Sequence, residues 1–135
     1  QVMVVFHGPH TYVSPTWYQE DNVVPTWNYV AVHANGIFKA SENPAGLEEA
    51  VERLTHQHEA DQPQPWQPDF STDYSREMLK HIVAFEIEIT SLQGKWKINQ
   101  NHPERRRRRV AGRLKELSGD MNLQVAELID ADLNA

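Results

Sequence analysis

Residues 82–90 alternate with a period of two, and this most narrows what the chain can become. Val83, Phe85, Ile87 and Ile89 fall on one side, and Ala84, Glu86, Glu88 and Thr90 on the other. That period belongs to a half-buried strand and not to a helix. Gln93-Gly94 then predicts a turn, with residues 95–99 returning as the second strand of a hairpin. A second β-rich region covers residues 2–38. A short apolar run at 2–6 is closed by His7-Gly8-Pro9-His10, a turn signal. Residues 27–34 are rich in aromatic and branched side chains, as strands are. Asn35-Gly36 is the strongest short hairpin signal, which makes residues 37–40 a returning strand.

Between and after these strands the period changes to helical. Asn43 can cap and Pro44 can open a helix over about residues 44–59, with Leu47, Ala50, Val51 and Leu54 as its apolar side. A proline-rich loop with Trp66 follows. Ser71-Thr72-Asp73 then caps a short helix over about 73–81, buried through Tyr74, Met78 and Leu79. Pro103 opens a helix whose apolar side is Val110, Leu114 and Leu117. Gly119-Asp120 breaks and recaps it, and Val125, Leu128, Ile129 and Leu133 line a last helix. Strands without a βαβ rhythm point to an antiparallel sheet or barrel with helices outside it: mainly β with α, of the α+β class. The expected division is a barrel domain at 1–102 and a helical tail at 103–135.

The 135 residues are one domain's worth, with 39% hydrophobic and 24% charged residues. No apolar run approaches the ~20 residues of a membrane helix, so no membrane partner is expected. The chain opens on an apolar run without a basic flank and without Met, and reads as a fragment that begins inside a strand. Cysteine is absent, which excludes disulfides, thiolate metal sites and thiol nucleophiles and fits a cytoplasmic setting. The net charge of −6 argues against a general nucleic-acid-coating protein while leaving room for a local basic patch.

Three segments carry a family resemblance. They are Phe6-His7-Gly8-Pro9-His10-Thr11-Tyr12-Val13-Ser14-Pro15-Thr16-Trp17-Tyr18, then Val24-Pro25-Thr26-Trp27-Asn28-Tyr29-Val30-Ala31-Val32-His33, then residues 82–90 continuing through Gly94-Lys95-Trp96-Lys97 to Gln100-Asn101. Their order and spacing resemble the FMN-binding negative transcriptional regulators of the PaiB type, over about residues 2–117. The resemblance implies an FMN-binding split β-barrel, a homodimer with flavin sites at the subunit interface, and the absence of about the first half of the barrel. It also implies a repressor-like regulator or flavin-dependent sensor; the alternative is a flavin- or haem-dependent oxidoreductase of the pyridoxamine-phosphate-oxidase-like class. Ile98-Asn99 stands where the family usually has Leu-Ser, which removes a hydroxyl.

Among individual residues, Trp17, Tyr18, Trp27, Asn28 and Tyr29 supply flat apolar walls and polar edges suited to a flavin ring. The same rings also suit a barrel core or a dimer interface. Lys95 and Lys97 share a strand face and, with Gln100 and Asn101, could hold the flavin phosphate; the alternative is a lysine-protected sheet edge. Residues 105–109 are five arginines. Arg105, Arg106, Arg108 and Arg109 are the candidates for contact with DNA phosphates, against a solvated or dimer-facing helix surface. The seven histidines show no metal-ligand spacing, and no nucleophile elbow is present, so neither metal ligands nor catalytic residues are assigned.

Overall fold

The structure, a computed structural model, describes residues 1–41 and 43–135. Three strands, β1 (Val2–Val13), β2 (Thr26–Ala40) and β3 (Phe85–Lys97), form an antiparallel sheet in the order β1-β2-β3. Among the described residues four helices accompany it: α1 (Pro44–Glu59), α2 (Asp73–Leu79), α3 (Glu104–Glu116) and α4 (Asp120–Leu133). A 3-10 turn, Pro15–Tyr18, lies between β1 and β2. The expected α+β class with a helical C-terminal segment is therefore present, and no described helix is long and apolar enough to cross a membrane.

The three expected turns are not turns. β1 runs straight through His7-Gly8-Pro9-His10, β2 through Asn35-Gly36, and β3 through Gln93-Gly94. Residues 37–40 and 95–97 continue their strands instead of returning as hairpin partners. Each glycine answers a close approach. A Cβ on Gly36 would lie 2.5 Å from the Glu88 carbonyl oxygen, and one on Gly8 would lie 3.2 Å from Val30 Cβ. At Gly94 the Trp96 ring stands 2.8 Å from that position. Glycine in a strand commonly marks such an approach, and proline is tolerated at Pro9 because β1 is an edge strand.

The helices follow their sequence signals more closely. Asn43 accepts a hydrogen bond from the Ala45 N–H at 3.1 Å and opens α1 where expected. Thr72 caps α2 through the Ser75 N–H at 3.2 Å, but α2 ends at Leu79 and its supposed buried side is not buried. Tyr74 and Met78 are exposed, because a helix of about two turns has too little surface to hold an apolar face of its own against a partner.

The chain divides into two compact units. One is Met3–Asn35 with Ser91–Ala135, and the core sits here. Val110, Ala111 and Leu114 of α3 and Val125, Ala126 and Ile129 of α4 close on Val13, Tyr18 and Ile98. Burial of each large apolar side chain of this set contributes about 1.5–3 kcal/mol. Thr11 donates to the Asn122 side chain at 2.6 Å, and Arg107 and Lys115 reach Asp132 and Asp130, each at 2.5 Å, so polar pairs rim the helix contact. The other unit is Gly36–Thr90 with Gln1–Val2. Inside it Ser41 N–H bonds the Ala84 carbonyl at 2.8 Å, Phe38 stacks on Phe85 at 5.2 Å, and Lys39 reaches Glu88 at 2.8 Å. None of its described apolar side chains is buried.

Candidate functional site

The site is built around Tyr18. Ser14 accepts from the Thr16 N–H at 3.3 Å and Pro15 presets the first position, so the chain turns tightly after β1. The turn drives Tyr18 into the core, where it is only 2% exposed. Arg109 donates to the Tyr18 carbonyl at 2.6 Å and clamps the turn to α3. The Arg106 guanidinium lies 5.0 Å from the centre of the Tyr18 ring, and the His102 ring is 5.7 Å away from it. Beside these groups is a cavity of about 310 Å³. Tyr18, Lys97, Asn99, Asn101, His102 and Arg106 supply its polar lining, and residues 22–26 supply one wall.

Polar side chains at this cavity are buried. The Arg106 Nε is buried and unpaired, and the buried Tyr18 hydroxyl and Asn99 side-chain amide interact with each other. Leaving a group such as the Arg106 Nε unpaired costs on the order of 1–3 kcal/mol. Burial pushes the Tyr18 phenol up, while a side-chain hydrogen bond with Asn99 and then the charge of Arg106 pull the other way. Burial, and then Arg106 beside it, hold the His102 imidazole below its ordinary value. Arg106 Nη1 donates to His102 Nδ1 at 3.0 Å, which requires that nitrogen to be unprotonated. Glu20, bonded by Arg106 and Arg105, is held below the usual carboxylate range.

The residues expected to bind a cofactor are partly brought together. Tyr18, Lys97 and Asn101 meet at this one cavity. Trp17 lines a different one of about 470 Å³, with Gln19, Arg109 and Arg113. Strand alternation separates the Trp27-Asn28-Tyr29 run across the sheet. Trp27 is half exposed and stacks on His10 at 5.9 Å, and Tyr29 shares its side. Asn28 faces the opposite way, fully buried, with both amide atoms unpaired. Lys95 is exposed on β3 and does not border the cavity. Gln100 is occupied by its own backbone: it accepts from Ile98 N–H at 2.9 Å and donates to the Trp96 carbonyl at 3.0 Å.

The arginine run is engaged with its own chain. Arg106 and Arg105 bond Glu20, Arg109 lies 3.8 Å from it, Arg108 pairs with Glu104 at 2.7 Å, and Arg107 is buried against Asp132. Arg105 and Arg108 are the more exposed members. Sequence reasoning missed Asn99, His102 and Glu20 as site residues. The available signal was the density of Asn near both strand ends: Asn22 and Asn99 adopt left-handed conformations, at φ 58° and 64°, which Asn tolerates better than most residues.

Comparison with known proteins places the chain in a family. Residues 1–91 match a family described as "Putative FMN-binding domain". The protease synthase and sporulation protein PAI 2 of Bacillus subtilis is 35% identical over 98% of this chain and 63% of its own length. An uncharacterized protein of Emericella nidulans is 34% identical over 96% of this chain and 58% of its own. One of Aspergillus fumigatus is 31% identical with the same two coverages. The chain thus spans about three fifths of the length of these curated relatives. With the match covering residues 1–91 and the three quoted segments in order, the chain belongs to the PaiB-type family of FMN-binding proteins.

Proposed function

We propose that this chain binds FMN and acts, as a homodimer in the cytoplasm, as a negative transcriptional regulator or flavin-dependent sensor. The observation that carries the reading is the cavity where Tyr18, Lys97 and Asn101 meet, with the buried Arg106 Nε beside them unpaired. These residues fit a phosphorylated, hydrogen-bonding cofactor: Lys97 and Arg106 supply charge, and Tyr18, Asn99 and Asn101 supply donors. On the opposite side of β2 from Asn28, Trp27, Tyr29 and His10 offer a ring wall against which a flat apolar group can lie. When bound, the flavin supplies reversible electron-accepting chemistry, and the chain's own residues bind it, orient it and exclude water.

Uncovered apolar side chains support the homodimer. Phe38, Phe85, Val83 and Ile89 are exposed on neighbouring stretches of strand and approach, a pattern that marks an interaction surface. On this reading Arg105 and Arg108, the exposed members of the run, are the DNA-facing charges. The name of the Bacillus subtilis relative, which speaks of protease synthesis and sporulation, is in keeping with control of gene expression. Titrating the purified chain into FMN while following flavin fluorescence tests the reading. Quenching with a dissociation constant on the order of 1 μM or below is expected, weakened about tenfold by Lys97→Ala. Unquenched flavin at saturating protein would remove the reading's basis.

A further inference from the structure

We propose that His102 is a proton-operated catch on Arg106: its neutral ring holds the guanidinium against Tyr18, and its protonated ring lets the guanidinium go. Arg106 sits in the first turn of α3 and reaches two partners at once. Its Nη1 donates to His102 Nδ1 at 3.0 Å, and its Nη2 bonds the Glu20 carboxylate. The guanidinium lies 5.0 Å from the centre of the Tyr18 ring, and the whole side chain is only 17% exposed. One side chain thus ties the loop after β3 to the turn after β1.

A guanidinium only donates, and an imidazole accepts only at an unprotonated nitrogen. The 3.0 Å contact therefore exists in one protonation state of His102 and not in the other. Adding a proton turns Nδ1 into a donor and sets two cations against each other. The His102 backbone is held in place, since its N–H bonds the Asn99 carbonyl at 3.0 Å and Pro103 follows it. The longer Arg106 side chain is the partner with freedom to move. A proton has access, because His102 borders the cavity and is only partly buried.

The surrounding groups decide where Arg106 goes. Tyr18 faces the His102 ring from the turn after β1 at 5.7 Å, and Lys97 lines the same cavity from the end of β3. Glu20 follows the turn and is shared by Arg106, Arg105 at 3.3 Å and Arg109 at 3.8 Å, all from α3. Burial and then Arg106 oppose a proton on His102, while Glu20 favours it. Glu20 is itself held below the usual carboxylate range, so it stays charged while His102 takes up its proton. Arg106 then keeps Glu20 and loses His102, which uncouples the loop after β3 from the turn that carries Tyr18.

The test uses the full chain without any ligand, so its outcome is separate from that of the FMN titration. NMR follows the His102 ring, the Arg106 Nε–H and the Glu20 amide from about pH 8 to about pH 4.5. The wild-type chain is compared with His102→Gln, which keeps an acceptor at every pH, and with His102→Lys, which keeps a cation. In the wild type the three signals are expected to move together with one midpoint. Protection of the Arg106 Nε–H, corrected for its intrinsic pH dependence, is expected to fall about tenfold on the acid side. His102→Gln should hold the high-pH signals of Arg106 and Glu20 throughout, and His102→Lys should show their low-pH signals already at the alkaline end. A His102 ring that titrates while Arg106 and Glu20 stay still overturns the catch, as does a ring still neutral at the acid end. Both of those results come from the wild type alone and stand even where a variant does not fold. A His102→Gln chain whose Arg106 signal titrates like that of the wild type overturns it as well.

Discussion

In Met3–Asn35 with Ser91–Ala135, two amphipathic helices close on Val13, Tyr18 and Ile98 and leave those side chains dry. In Gly36–Thr90, α1 and α2 also carry apolar residues at helical spacing, yet Leu54, Tyr74 and Met78 stand exposed. The composition of the helices does not explain the contrast, since α3 is the more charged of them, with five arginines in its first two turns. The difference lies in opposition. α3 and α4 each have a facing surface for their apolar side, while α1 and α2 show no buried member among the described side chains. Spacing turns into a core only when two such faces meet. Among the described residues the buried, unpaired side-chain atoms, those of Asn28, Arg106 and Arg107, follow the same division and lie in the unit that has a core. Water must be excluded before a polar side chain can be held ready for a ligand.

The comparison is broken most easily by truncation. Leu114→Ala, at a fully buried position, is expected to cost about 2–5 kcal/mol, whereas Leu54→Ala is expected to stay within about 0.5 kcal/mol. Urea denaturation of both variants measures this, and equal losses would mean that Gly36–Thr90 has a core of its own. Next in size is Asp132→Asn, which leaves the buried Arg107 guanidinium short of its charged partner. A loss of about 1–3 kcal/mol is expected, below the cost of breaking a fully buried pair because Asp132 is half exposed.

Acidification sharpens the contrast further. His102 has a depressed pKa in the fold, so the unfolded chain takes up its proton first, and stability falls as pH drops below the ordinary imidazole value of about 6.5. Arg106, Glu20 and the Tyr18 ring are the groups that face it. Glu20, held low by Arg106, adds a second loss as pH drops below the ordinary carboxylate value of about 4.3. His102→Gln should abolish the first loss and keep the second in denaturation curves taken at pH 7.5, 6 and 4. The smallest effect is expected at Lys39, whose exposed pairs with Glu86 and Glu88 contribute about 0–1 kcal/mol, so Lys39→Ala barely moves the midpoint.

Much of the framework was legible in particular residues. Asn43-Pro44 marked the start of α1, Pro103 that of α3, and Gly119-Asp120 the junction before α4, because capping chemistry is local. The alternation at 82–90 found β3, though the strand begins at Phe85 and runs to Lys97. Gly8, Gly36 and Gly94 misled because the same residue serves a turn or a close approach, and only the neighbouring strand or ring decides which. At the candidate cavity, Tyr18 stood out as a flat ring with a polar edge, and Lys97 and Asn101 as a cation and an amide at a strand end. Asn99, His102 and Glu20 did not, since their roles depend on where α3 lies against the turn after β1, a tertiary fact with no short-range pattern. The division of Trp27 from Asn28 was implicit in strand alternation and was overridden by reading neighbours in sequence as neighbours in space.

The most direct test of the whole account is amide hydrogen exchange of the chain with and without saturating FMN. Protection is predicted to concentrate at residues 18–26 and 97–106, which frame the cavity, with little change in α1 and α2. Protection confined to α1 and α2, with residues 18–26 and 97–106 exchanging as before, would contradict it.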